Sequence, residues 1–247
     1  MRHAHLIFQP QKITMPLPPA VRENLETLRA RMVSAIRAAA RDADAVRLLA
    51  VSKTFPAAAV AEAHAAGQTA FGENYVQEGV EKIAALADLP LEWHYIGPIQ
   101  SNKTRPIAEH FAWVHAVERL KIAERLSAQR PANMPDLQVC LQVNVSAETS
   151  KSGIESAAIL NLARQVARLP RLKLRGLMAI PAPAAGLAAQ RAPFRELRLL
   201  KEQLNAAGLD CDTLSMGMSA DLEAAILEGA TIVRIGTAIF GPRTKTV

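Results

Sequence analysis

The sequence predicts an α/β protein folded as a single (β/α)8 barrel of the TIM type, with one extra helix ahead of it. Three observations carry that expectation. Beyond Asp44 the chain repeats a short apolar, β-branched run, a break rich in Gly, Pro, Ser or Asn, and then a helical stretch, the alternation that builds a parallel sheet. The repeat supplies eight strand candidates, and eight parallel strands close more readily than they spread, because closure removes both unpaired edges. A length of 247 residues suits one barrel with one core. The alternative is an open doubly wound sheet. Its dinucleotide-binding version is weakened because no GxGxxG follows the first strand.

At the N-terminus, Met15 and the prolines Pro16, Pro18 and Pro19 set residues 1–14 apart. That stretch reads as an appended tail or the product of an upstream start codon, so residues 1–16 are assigned to a tail and 17–247 to the barrel domain. From Pro18 to Ala40, the residues Val21, Leu25, Leu28, Met32 and Ile36 recur at spacings of four, three, four and four, the apolar face of an opening helix. Strands are then expected over Arg47–Ser52, Ala70–Gly72, Glu92–Ile96, Trp113–Ala116, Gln138–Asn144, Leu174–Ile180, Thr213–Ser215 and Thr231–Ile235. Helices fill the gaps, as Leu162, Val166 and Leu169 or Phe194, Leu197, Leu200 and Leu204 show by their spacing.

Composition narrows the function. No run approaches the roughly 18 uninterrupted apolar residues of a membrane span, and the N-terminus lacks the apolar core and cleavage site of a secretion signal. A cytoplasmic protein is expected. Cys140 and Cys211 belong to no CxxC or Cys/His cluster, so they are expected as reduced core residues, and no metal site is expected. The formal charge of +6 could suit an anionic ligand, but basic residues such as Arg22, Arg29, Arg31 and Arg37 are scattered along helices and read as solvated surface. Aromatics make up 4% of the chain, which argues against a stacking platform for nucleic acid.

In a barrel, chemistry sits where strands end and βα loops begin. Lys53 closes the first strand, LLAVSK, where its amine would point into the mouth. Desolvation there would lower its pKa and make it a Schiff-base candidate, whereas a lysine that escapes to solvent is the bland reading. The segment SMGMSADLEAAI ends the seventh strand, and a helix is expected to open near Ser219, capped by that side chain and supported by Asp221. Ser215 and Ser219 could add hydroxyls to a phosphate site there. VRIGTAIFG supplies a second small-residue turn, Gly236 and Thr237, after the eighth strand and next to the seventh in a closed barrel. Loops after strands seven and eight often bind phosphate in barrels. Arg234 lies within the eighth strand, either turned inward to meet a designed acceptor or outward to a helix carboxylate. The six histidines, His3, His5, His64, His94, His110 and His115, read as structural. Lys103 and Lys151 read as surface or as secondary anion contacts.

Taken together, AVSKT around Lys53, FGENYVQE from Phe71, WHYIGPIQSNK from Trp93, NVSAETSKSGI from Asn144, RGLMAIP from Arg175, LSMGMSADLEAAI and VRIGTAIFG resemble the pyridoxal phosphate homeostasis protein family, from about Pro18 to Arg243. The resemblance implies a fold type III pyridoxal 5'-phosphate (PLP) barrel, also found in alanine racemase and in the N-terminal part of eukaryotic-type ornithine decarboxylase. It implies that Lys53 carries the cofactor as an internal aldimine, that Ser219, Gly236 and Thr237 contact its phosphate, that Arg234 faces its ring nitrogen, and that Asn74, Ser215 and Met216 line the pocket. Two departures are the tail ahead of Met15 and Pro98, where many members carry His.

The function so implied is a cofactor carrier or buffer that keeps free PLP low and affects amino-acid and keto-acid balance, with apo-enzymes as acceptors and no catalytic residues of its own. Six residues follow Gly241, so no second domain is expected, and a monomer is. The main rival is a PLP-dependent racemase or lyase using Lys53 with Tyr75 or His94. A cofactor-free Schiff-base aldolase and an RNA-associated scaffold are further alternatives.

Overall fold

The computed structural model describes residues 21–146 and 152–242. The tail assigned to residues 1–16, the start of the barrel domain at residue 17 and Lys151 lie outside the described residues. In chain order the elements are α1 (Val21–Ala38), β1 (Arg47–Val51), α2 (Ala57–Ala65), β2 (Ala70–Glu73), α3 (Val76–Ala85), β3 (Glu92–Tyr95), α4 (Thr104–His110), β4 (Trp113–Val117), α5 (Leu120–Gln129), β5 (Leu137–Gln142), α6 (Ile159–Val166), β6 (Leu172–Met178), α7 (Leu187–Ala206), β7 (Thr213–Ser215), α8 (Leu222–Leu227), β8 (Ile232–Ile235) and α9 (Thr237–Phe240). The strands form one closed barrel in sequence order. β8 closes it in parallel with β1, pairing Leu49 with Arg234 and Ala50 with Ile235.

The eight expected strands are those observed, each bound shifting by two residues or fewer. The largest shift is in β6, which starts at Leu172 and ends at Met178 rather than running from Leu174 to Ile180. Its ladder to β5 begins at Leu137 with Leu172 and changes register after Val139 with Leu174. Gly176 lies just past that change with φ +154°, and a Cβ there would stand 2.0 Å from the Thr213 carbonyl oxygen of β7. The backbones approach that closely because this position has no side chain.

α1 buries Val21, Leu25, Leu28, Met32 and Ile36, the face its periodicity predicts, together with Ala35. Arg22 and Arg37 are exposed, as the solvated-surface reading expects, but Arg29 and Arg31 depart from it. Arg29 donates to the Ala66 carbonyl beyond α2, and Arg31 donates to Ser219 O and grips Glu223 of α8 with two nitrogens. These side chains satisfy loop and helix-end carbonyls that no intrahelical donor can reach, which fixes α1 across the outside of the barrel seam.

Glu228, at the end of α8, is 2% exposed and receives Arg191 Nε at 2.7 Å and Arg195 Nη2 at 3.4 Å from α7. Burial alone would raise its pKa, but the hydrogen bonds from Arg191 and Arg195 outweigh it and hold the carboxyl below the ordinary range. A depressed carboxyl pKa contributes stability above the unfolded-state value, which is lost as pH falls through the folded one. We therefore expect Glu228→Gln to lower the melting temperature at neutral pH by about 2–4 °C, or about 1 kcal/mol after discounting for the half-exposed arginines. The gap to wild type should narrow as thermal unfolding is followed into the acid range.

Candidate functional site

The carboxyl ends of β7, β8, β1 and β2 are neighbours in the closed barrel, and their loops surround a cavity of about 310 Å³. Lys53 enters it from the end of β1, Asn74 from the end of β2, Ser219 from the turn after β7, and Arg234, Gly236 and Thr237 from β8 and the turn into α9. Val51 and Ile96 supply apolar wall, while Ile180 and Met218, both largely exposed, stand at the rim. The sequence reading missed these apolar members, which differ in composition from no other strand-end residues.

Ser215 and Met216, also expected at the pocket, are fully buried; Ser215 meets Arg234, which lines the cavity, through its hydroxyl. The helix expected at Ser219 begins instead at Leu222. Asp221 holds the cap position, and its carboxylate accepts the Met218 N–H at 2.6 Å, leaving Ser219 at the cavity wall.

Arg234 resolves in favour of the inward reading. Its Nη1 donates to Ser215 O at 2.5 Å and Ser215 Oγ at 2.9 Å, and its Nη2 donates to Ala179 O at 2.9 Å. These use three of the five N–H donors of a guanidinium. Behind it a polar chain crosses the barrel: Ser215 Oγ to His115 Nδ1 at 2.7 Å, His115 Nε2 to His94 Nδ1 at 2.9 Å, and His94 Nε2 to Glu92 Oε1 at 2.5 Å. β4 and β7 are not adjacent strands, so the His115–Ser215 bond must pass through the interior.

Donor counting sets the direction of that chain. Ser215 Oγ accepts from Arg234 and is free to donate to His115, so His115 carries its proton on Nε2, donates to His94, and His94 donates in turn to Glu92. Burial lowers the pKa of both histidines, which keeps them neutral and makes this arrangement self-consistent. Burial opposes the Glu92 charge as well, but hydrogen bonds from His94 and Arg47 outweigh it and keep its carboxyl below the ordinary range. His94 is thus a core residue and not a strand-end group at the cavity. Tyr75, its proposed counterpart in a racemase, lines a neighbouring cavity of about 380 Å³ with Gln100 and Lys103, which touches the first through Asn74.

A larger cavity of about 560 Å³ occupies the opposite mouth. Of its charged groups, Arg47 is paired with Glu92, Arg175 with Asp212, and Arg130 is committed to the carbonyls of Ala108, Phe111 and Pro135. The smaller cavity fits PLP on its own chemistry. It brings a primary amine, a buried guanidinium, two hydroxyls and the Asn74 side chain together, and Asn74 Oδ1 is buried with no hydrogen-bond partner. Its volume falls within the range of small-molecule sites. Among the described residues, no group of three or more His, Cys, Asp or Glu side chains is placed to hold a metal ion, and no helix is long and apolar enough to cross a membrane. Cys140 and Cys211 are buried and unpaired.

Comparison with known proteins places this geometry. Residues 20–244 match the family described as alanine racemase, N-terminal domain. The chain is 66% identical over 223 residues, 90% of its length and 96% of the relative, to the pyridoxal phosphate homeostasis protein of Pseudomonas aeruginosa. It is 53% identical over 226 residues, 90% and 97%, to the protein of that name in Escherichia coli. Among solved structures, PipY of Synechococcus elongatus with PLP bound matches at a TM-score of 0.78 and 40% identity, covering 90% of this chain and all of PipY. Alanine racemase from Corynebacterium glutamicum shares the fold at a TM-score of 0.67 and 14% identity, over 91% of this chain and 60% of the racemase. With these identities over nearly its whole length, the chain belongs to the pyridoxal phosphate homeostasis protein family, within the alanine racemase N-terminal domain fold.

Proposed function

We propose that the chain binds PLP in the cavity at the carboxyl mouth of the barrel, with Lys53 Nζ as the point of covalent attachment, and that it carries and buffers the cofactor rather than turning over amino acids. The observation that supports this reading most is the convergence of Lys53, Asn74, Ser219, Arg234, Gly236 and Thr237 on one cavity. The names of the relatives and the ligand in PipY point to the same cofactor. Apo-enzymes that require PLP would be the acceptors.

When bound, PLP supplies an aldehyde for attachment and a ring whose nitrogen can draw electrons from a substrate. Lys53, rooted at the end of β1, presents its amine to the cavity as the nucleophile. Ser219 and Thr237 offer hydroxyls, and Gly236 an unobstructed backbone, to a phosphate at the β7–β8 side. Arg234 would face the ring nitrogen. Burial pulls its pKa down to about 10, still well above neutrality, so the guanidinium keeps its protons and acts as an orienting donor. A group that does not release a proton leaves the ring a weak electron sink.

Amino-acid turnover would also call for a second acid or base at the reacting carbon. Beside Lys53, the polar lining consists of Asn74, Ser219, Thr237 and Arg234, while His94 and His115 are held neutral in the core. That lining suits holding a cofactor better than moving substrate protons.

Borohydride reduction followed by peptide mass mapping tests the attachment. The phosphopyridoxyl group is expected on Lys53 in wild type and absent from that peptide in Lys53→Ala, and a wild-type protein that takes up no PLP would refute the reading. Wild-type protein incubated with PLP and an α-deuterated amino acid should retain the deuterium, and steady exchange would favour the racemase or lyase instead. Gly97 gives a separate check on the pocket. A Cβ at Gly97 would meet the Asn74 carbonyl oxygen at 2.2 Å and its Cα at 2.7 Å, so Gly97→Ala must displace Asn74. Spectroscopic titration should show PLP binding weakened about tenfold or more, about 1.4 kcal/mol.

A further inference from the structure

We propose that buried Lys82 and Glu73, with partly exposed Glu78, form a bracket that positions Lys53, with Lys82 as a positioning residue that never touches the cofactor. The inference rests on Lys53 being the attachment point. Lys82 lies on the inner face of α3 beside Gly79, and both are buried against the barrel wall. Lysine is almost never buried unless paired. Here its three donors meet three acceptors: Ser52 O at 2.7 Å, Glu73 Oε1 at 2.8 Å and Glu78 Oε1 at 2.6 Å.

Those acceptors converge on the two residues that flank Lys53. Ser52 is held twice, by its carbonyl to Lys82 and by its hydroxyl to Glu73 Oε1 at 2.6 Å. Thr54 is held by its N–H, which donates to Glu78 Oε1 at 2.5 Å. Thr54 also adopts φ +69°, a left-handed conformation that a β-branched residue takes only when its surroundings impose it. The backbone on both sides of Lys53 is therefore tied to one helix through a single ammonium and two carboxylates.

Packing alone gives no reason for this arrangement. A methionine would fill the Lys82 site, and buried ion pairs are often no more stable than apolar replacements. What the cluster adds is geometry. It fixes where the β1–α2 turn lifts off the barrel and so the direction in which Lys53 leaves it. The ability of a site to react depends on its group being held within a narrow range of positions by the residues behind it.

The test uses the full chain carrying Glu78→Ala, Lys82→Met, or Glu78→Ala combined with Thr54→Gly, with PLP as the probe. The readouts are PLP affinity, the fraction of Lys53 trapped by borohydride, and the melting temperature of the apo-protein. Glu78→Ala is expected to weaken binding about tenfold, about 1.4 kcal/mol, while the apo-protein still melts cooperatively. Adding Thr54→Gly should restore most of the loss, because glycine enters the left-handed region without an imposed hydrogen bond. Lys82→Met should lower trapping at Lys53 at least as much, and Glu78→Ala, which is partly exposed, carries the test if Lys82→Met does not fold. The bracket is overturned if Glu78→Ala binds and traps like wild type, or if Thr54→Gly fails to rescue it. Failure of wild type itself to bind PLP at Lys53 would instead overturn the proposed function.

Discussion

Closure of β8 against β1 is the constraint on which the site depends. The ladder that pairs Leu49 with Arg234 and Ala50 with Ile235 runs on to bring the β1 exit, with Lys53, beside the β8 exit, with Gly236 and Thr237. The approach is close, since a Cβ at Gly236 would lie 3.1 Å from the Val51 carbonyl oxygen. Residues nearly two hundred positions apart thus share one wall. In an open sheet β1 and β8 would be separate strands, and the amine, guanidinium and hydroxyls would not meet. Fold and function are linked here through a register, not through any single side chain.

Two polar constructions support that wall from behind. Inside the barrel, Arg234 is held by Ser215 and Ala179 and backed by the neutral His115–His94 pair that ends on Glu92. Outside it, between wall and helix, Lys82 and two glutamates secure the turn that carries Lys53. Each burial is costly unless every member finds a partner, and in both clusters nearly all do. Glu73 Oε2 is one exception, buried without a partner, and burial raises its pKa despite hydrogen bonds from Lys82 and Ser52. The result is a cavity in which the Arg234 guanidinium and the backbone on either side of Lys53 are fixed in place before any ligand arrives.

Much of this was legible in the sequence because βα alternation is a local signal. Strand bounds fell within two residues, and the polar residues just past the strands, Lys53, Asn74, Gly236 and Thr237, were those the barrel turns toward its mouth. What escaped depends on distant partners. Ser215 reads as a strand-end hydroxyl open to a phosphate until β4 brings His115 across the interior, and nothing local sets Lys82 apart until Ser52 and Glu73 are known to face it. Arg29 and Arg31 of α1 likewise seem solvated until the carbonyls of Ala66 and Ser219 are in place. Ser219 is a capping residue by type with Asp221 placed for the first turn, yet α8 starts at Leu222 with Asp221 in the cap position, a choice of backbone geometry that residue type does not reveal.

The most direct measurement is a crystal structure of the protein grown with PLP. The account predicts continuous electron density from Lys53 Nζ into the cavity between β7, β8, β1 and β2, with the phosphate against Ser219, Gly236 and Thr237 and the ring edge toward Arg234. Density instead in the larger cavity at the opposite mouth, among Arg47, Glu92 and Arg175, with Lys53 unmodified, would contradict it.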